Sequence, residues 1–129
     1  MSKTIRGVRL GVDGTLTDLQ LPVGRGLLET LREAVGGGAE IAHYARPDGG
    51  RRLAVAIDGD GALRQKENLY ATSLINGIYV KQLPYCLYGP VVLLGALDDS
   101  RHHADIPAPL YEVLPKVIEA LKARYSTTA

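Results

Sequence analysis

The sequence predicts a single small α+β domain, with a mixed or antiparallel sheet of about four to five strands. One helix is expected after the first strand and an amphipathic helix at the C-terminus. Three observations predict it. The chain has 129 residues, the size of one domain with its own core. Short apolar segments alternate with glycine-rich turns, and Gly is abundant at 15 residues. Helical apolar spacing occurs in two places, near Leu27–Val35 and from Leu110 to Tyr125.

Along the chain, Ile5, Val8, Leu10 and Val12 form a first strand with partial alternation. Leu27, Leu28, Leu31, Ala34 and Val35 come next as a helix, stopped by Gly36-Gly37-Gly38. Thr15 or Thr17 is expected to cap the segment after the first strand. Ala39–Ala45 reads as a strand, Asp48-Gly49-Gly50 as a turn and Leu53–Ile57 as the return strand. Asp58-Gly59-Asp60-Gly61 makes the next turn. A short helix is expected around Leu69–Ile75, broken near Asn76-Gly77. The uninterrupted apolar run Val91–Leu97 marks a strand buried on both faces. Leu110, Val113, Leu114, Val117, Ile118, Leu121 and Tyr125 trace one helical stripe, in which Pro115 either kinks the helix or begins it.

Composition narrows the function classes. Cys86 is the only cysteine, which excludes a disulfide framework and a Cys-rich zinc module. A net charge of +1 gives no global pull toward nucleic acid, and no sequence-specific nucleic-acid partner is expected. The segment Met1–Arg6 lacks the apolar stretch of a signal peptide, and no uncharged apolar run approaches a membrane span. The expected compartment is the cytoplasm, with no membrane partner. Phe and Trp are absent, so the core must be aliphatic with seven tyrosines as its aromatics.

The string Asp13-Gly14-Thr15-Leu16-Thr17-Asp18 after an apolar strand resembles the first motif of haloacid-dehalogenase-type phosphatases. In that chemistry an Asp two positions before Asp13 attacks phosphorus and forms a covalent intermediate. Here Gly11 stands in that place and has no side chain to do so. The string is expected to be a turn out of the first strand, with no catalytic residue.

A second resemblance rests on other residues. These are the helix closing in Val35-Gly36-Gly37, the turn Asp58-Gly59-Asp60-Gly61-Ala62-Leu63, Asn68 with Ala71-Thr72, and the strand Gly89-Pro90-Val91-Val92-Leu93-Leu94-Gly95. Together they resemble an uncharacterised family of small proteins found largely in phages, plasmids and other mobile elements. The likeness spans roughly residues 12 to 97, and the segment Asn76–Leu87 departs from it. It implies a family-like core over 1–97, a C-terminal extension over 98–129 within one domain of 1–129, and an accessory role inside a bacterial host. It implies no activity.

Other constellations have plain readings beside sharper ones. Asp58 and Asp60 do not make a complete calcium loop, because the third carboxylate is missing and Glu67 is misplaced. His102-His103 with Asp98, Asp99 and Asp105 read as a polar surface loop before they read as a metal cluster. No metal and no cofactor is expected. Gly24-Arg25-Gly26 precedes a helix, so Arg25 and free backbone N–H groups make a modest anion site or an ordinary loop. Arg46, Arg51, Arg52, Arg64 and Lys66 cluster on the turns around the central hairpin, where a basic rim would meet phosphates. Tyr79, Tyr85 and Tyr88, with Tyr70, can stack on a nucleobase or serve as the core's large residues. Cys86 reads as a small buried apolar residue.

The resulting expectation is a non-enzymatic binding protein, a counter-defence factor that sequesters a small anionic, nucleotide-like signal. Its ligand residues would be Arg25, Arg46, Arg51, Arg52, Arg64, Tyr79, Tyr85 and Tyr88, and a homo-oligomer is expected. The alternatives are a protein-interaction inhibitor docking on a host enzyme through the C-terminal helix, and a degenerate phosphatase-like enzyme.

Overall fold

The computed structural model describes residues 4–45, 52–79 and 85–126. Arg46, Arg51 and the Asp48-Gly49-Gly50 turn lie outside them, as does the side chain of Tyr79. The elements run β1 (Thr4–Leu10), β2 (Leu16–Pro22), α1 (Leu27–Val35), β3 (Ala39–Ala45) and β4 (Arg52–Asp58). They continue with α2 (Gly61–Arg64), α3 (Leu69–Tyr79), β5 (Val91–Gly95) and α4 (Ala108–Ser126). Among the described residues the strands form one five-stranded sheet in the order β2-β1-β5-β4-β3, antiparallel throughout. The α+β class and strand number expected from the sequence therefore hold.

Strand alternation divides the core into two layers. Val8, Leu10, Leu53, Val55, Val91 and Leu93 face α3 and α4, meeting Leu74, Ile75, Leu110, Leu114 and Ile118. Ile5, Leu21, Ala54, Ala56, Val92 and Leu94 face α1, meeting Leu31 and Val35. Every residue of β5 is buried, as its unbroken apolar run requires of a strand covered on both faces. The helix expected after the first strand is present, but β2 precedes it. Thr15 caps no helix: Gly11 N–H donates to Thr15 O at 2.9 Å and closes a β1–β2 hairpin. β1 stops at Leu10, and Val12 is an exposed turn residue.

Three further details differ from the sequence reading. β5 ends at Gly95, and exposed Leu97 instead bridges His103. Asp58–Gly61 does not return the chain as a hairpin; it leads into α2. α3 continues through Asn76 and Gly77 to Tyr79. A glycine in a helix costs about 1 kcal/mol, less than α3 gains by burying Ala71, Leu74 and Ile75. Pro115 sits inside α4, which is helical from Ala108. The stripe Leu110, Leu114 and Ile118 belongs to the core of this chain, so the stretch after Asp98 is integral to the domain. No described helix is long and apolar enough to cross a membrane.

Candidate functional site

The two ends of the sheet differ in chemistry. At one end lie Leu10, Leu16, Val91, Asp58 and Ala39; at the other lie Thr4, Pro22, Gly95, Arg52 and Ala45.

At the first end the polar side chains serve the fold. The Asp58 carboxylate accepts Arg64 Nη2 at 2.5 Å, Gln65 Nε2 at 2.7 Å and the Asp60 N–H at 3.0 Å. Burial would raise its pKa, but donation by Gln65 and Asp60 and the Arg64 charge outweigh it and hold the carboxyl below its ordinary value. Arg64 and Gln65 also donate to Gly36 O and Val35 O, tying β4 to the C-terminal end of α1. Gly36 caps that helix at φ 82, a conformation open to glycine. Arg64 is thus an ion-pair partner of the buried Asp58.

Asn68 is fully buried at the start of α3. Its Nδ2 donates to Leu10 O at 3.1 Å and Gly89 O at 2.8 Å, and its Oδ1 accepts the Ala71 N–H at 3.0 Å. The residue caps α3 and fastens it to β1 and to the entry of β5. Asp13 Oδ1 accepts the Thr15 N–H at 3.0 Å, a bond that lowers its pKa. Gly14, at φ 86 beside Lys122 and Tyr70, completes the turn. A side chain on Gly11 would begin 3.0 Å from Asp13 Oδ1, so this hairpin is shaped by contacts of its own.

The tyrosines spread out. Tyr85 is half exposed and shares a 3.1 Å hydrogen bond with the hydroxyl of Tyr44 on β3. Burial and that bond push the Tyr44 hydroxyl above the ordinary phenol range. Tyr88, partly buried, bridges Glu67 next to α2. Tyr70 packs against the core and meets the Tyr125 ring edge-on at 5.3 Å. Cys86 is half-buried, 3.5 Å from the Thr72 hydroxyl.

The second end gathers residues that the sequence reading kept apart. His103, expected on a surface loop, is buried, and its Nδ1–H donates to Gly95 O at 2.8 Å. That bond leaves Nε2 as the other polar atom of its ring. His43 of β3 lies parallel to it, with ring centroids 6.0 Å apart and planes at 9°. Exposed His102 joins His103, Thr4 and Ser100 in lining a cleft of about 260 Å3. The loop carrying Arg25 lies against the cleft, since a Cβ on Gly24 would stand 3.9 Å from His102 Nε2. Exposed Arg52 alternates onto the same face as Ala54, beside His43 across the β3–β4 ladder. All three histidines of the chain, Arg52 and the loop that carries Arg25 therefore occupy one end of the α1 face.

Asp98 and Asp105 also line this cleft. Asp98 Oδ1 accepts the N–H groups of Ser100 and His102, and Asp105 Oδ1 accepts the Arg6 N–H. These bonds shape the loop that carries the histidines. Among the described residues no cluster of three His, Cys, Asp or Glu is placed to hold a metal ion.

No protein-family model, curated protein or solved structure matches this chain. The site must be read from its own atoms. Of the eight ligand residues expected from the sequence, Arg25 and Arg52 come to the histidine end. Arg64, Tyr85 and Tyr88 are placed elsewhere. Thr4 and His43 carried no signal in the sequence that links them to His102-His103, because only the sheet register and the loop after β5 bring them together.

Proposed function

We propose that the protein is a non-enzymatic binder of a small anionic, nucleotide-like ligand at the histidine end of the α1 face. The observation that carries this reading is the placement of the Arg25 loop against His102 at the mouth of the polar cleft. Arg25 and the N-terminal end of α1, capped by no side chain, offer positive potential for a phosphoryl group. Thr4 and Ser100 supply hydroxyls and the His102 ring a polar N–H, while the Asp98 and Asp105 carboxylates of the same lining accept backbone N–H groups. β2 and β4 are three strand spacings apart, about 14 Å. A ligand of nucleotide length suits that span. The likeness to proteins of mobile elements would make such a binder a sink for a host signal in a bacterial cytoplasm.

Thermal-shift and calorimetric titration with phosphate, adenosine monophosphate and cyclic mono- and dinucleotides tests this. A ligand at a hundredfold over its Kd stabilises by about 2.7 kcal/mol, a rise in Tm of several degrees. Arg25→Ala and His102→Ala should each weaken the binding. No shift with any of these compounds at millimolar concentration, or binding indifferent to both substitutions, sinks the proposal.

A further inference from the structure

The opposite face carries a second cleft, of about 220 Å3, between the β1–β2 hairpin and the first turns of α4. Its apolar floor is Val8, Leu16 and Leu114. Asp18 from β2 and Glu112 from α4 stand at its rim, and among the described residues no lysine or arginine lines it. The Tyr111 hydroxyl donates to Asp18 Oδ2 at 3.1 Å, which fixes one carboxylate and raises the tyrosine's pKa. Among the described residues, neither Asp18 nor Glu112 forms an ion pair. The nearby Arg6 guanidinium is engaged over the Tyr111 ring, 4.7 Å from its centroid, and lines the adjoining cleft, which shares Tyr111 and Glu112 with this one.

An apolar slot whose own lining carries two carboxylates and no lysine or arginine is complementary to one kind of small molecule. We propose that this cleft binds a small alkylammonium ion, with its charged head between Asp18 and Glu112 and its methylenes on Val8, Leu16 and Leu114. The volume is below that of drug-sized pockets, which favours a short-chain amine. Burial of the alkyl chain supplies the non-directional part of the attraction. The carboxylates supply charge selectivity, which added salt must weaken. This site lies on the far side of the sheet from the histidine cleft and does not depend on it.

The test is an NMR titration of the full chain with n-butylammonium at low ionic strength, with n-butanol and butyrate as chain-matched controls. Saturable shifts at Leu16, Leu114 and Tyr111 are expected with the ammonium ion, with binding at least about fivefold weaker for the alcohol. Asp18→Asn and Glu112→Gln should each reduce affinity by a few fold. Glu112 is exposed on α4 and its side chain bonds to none of the described residues, so its substitution reports binding without disturbing the fold. No saturable shift with butylammonium, equal affinity for butanol, or unchanged affinity in both variants overturns the proposal.

Discussion

Removing the buried Asn68 side chain should be among the most damaging single changes in this protein. Asn68→Ala deletes three hydrogen bonds, to Leu10 O, to Gly89 O and from the Ala71 N–H. Each is worth about 1 kcal/mol net, and the loss includes the cap of α3. Neither carbonyl gains a replacement, because alanine cannot donate and the site is closed to solvent. The sum is about 3–5 kcal/mol, against a total stability of about 5–15 kcal/mol for a domain. Urea denaturation monitored by far-ultraviolet circular dichroism should show a fall in midpoint of about 1.5–2.5 M, for a slope near 2 kcal/mol/M. Asn68→Asp is the sharper comparison. It keeps an acceptor for Ala71 but turns a carboxylate toward two carbonyl oxygens, so at neutral pH it should destabilise more than alanine does. Part of that excess should return on acidification, when the carboxyl can again donate. A loss under about 1 kcal/mol for Asn68→Ala, or an Asp variant as stable as the parent, refutes the assigned bonding.

The Asp58 clamp and the core lead to two further outcomes. The folded-state pKa of Asp58 is depressed, so its contribution is fully present above the unfolded value of about 3.9. It is lost as pH falls through the lower folded value; chemical denaturation across the acid range should show a flatter limb for Asp58→Asn than for the parent. Leu114→Ala empties a position that is 1% exposed in the α3–α4 layer. It should cost about 2–5 kcal/mol by denaturant titration, whereas a helix merely appended to the domain would give almost no loss.

The sequence announces its buried parts most clearly. β5 is legible because all five of its residues are apolar and enclosed. α4 is legible because Leu110, Leu114 and Ile118 recur at helical spacing. β2 is not, because as an edge strand it keeps Thr17, Asp18 and Gln20 exposed, and Leu21 is its one fully buried residue. α3 reads as shorter than it is because Gly77 is a poor helix former; it sits exposed with open space where a side chain would be. Asp58 looks like a turn residue from its Gly neighbours, and its burial depends on Arg64 and Gln65 folding back over it. The histidine end is hidden for a different reason. His43 reaches His103 only through the pairing of β3, β4 and β5, a long-range register that local pattern does not encode.

The place of β5 between β1 and β4 has a consequence for how the chain comes to be folded. During synthesis the β1–β2 and β3–β4 hairpins emerge first, and each carries an inner edge whose partner has yet to appear. Unpaired edges invite association with other chains, and such exposure is where folding intermediates aggregate. Closure of the sheet waits on five apolar residues, Val91–Gly95, which pair with both hairpins at once. A ribosome-stalled or truncated chain ending before Val91 should therefore aggregate, and a supplied β5 peptide should suppress that aggregation by joining the two halves.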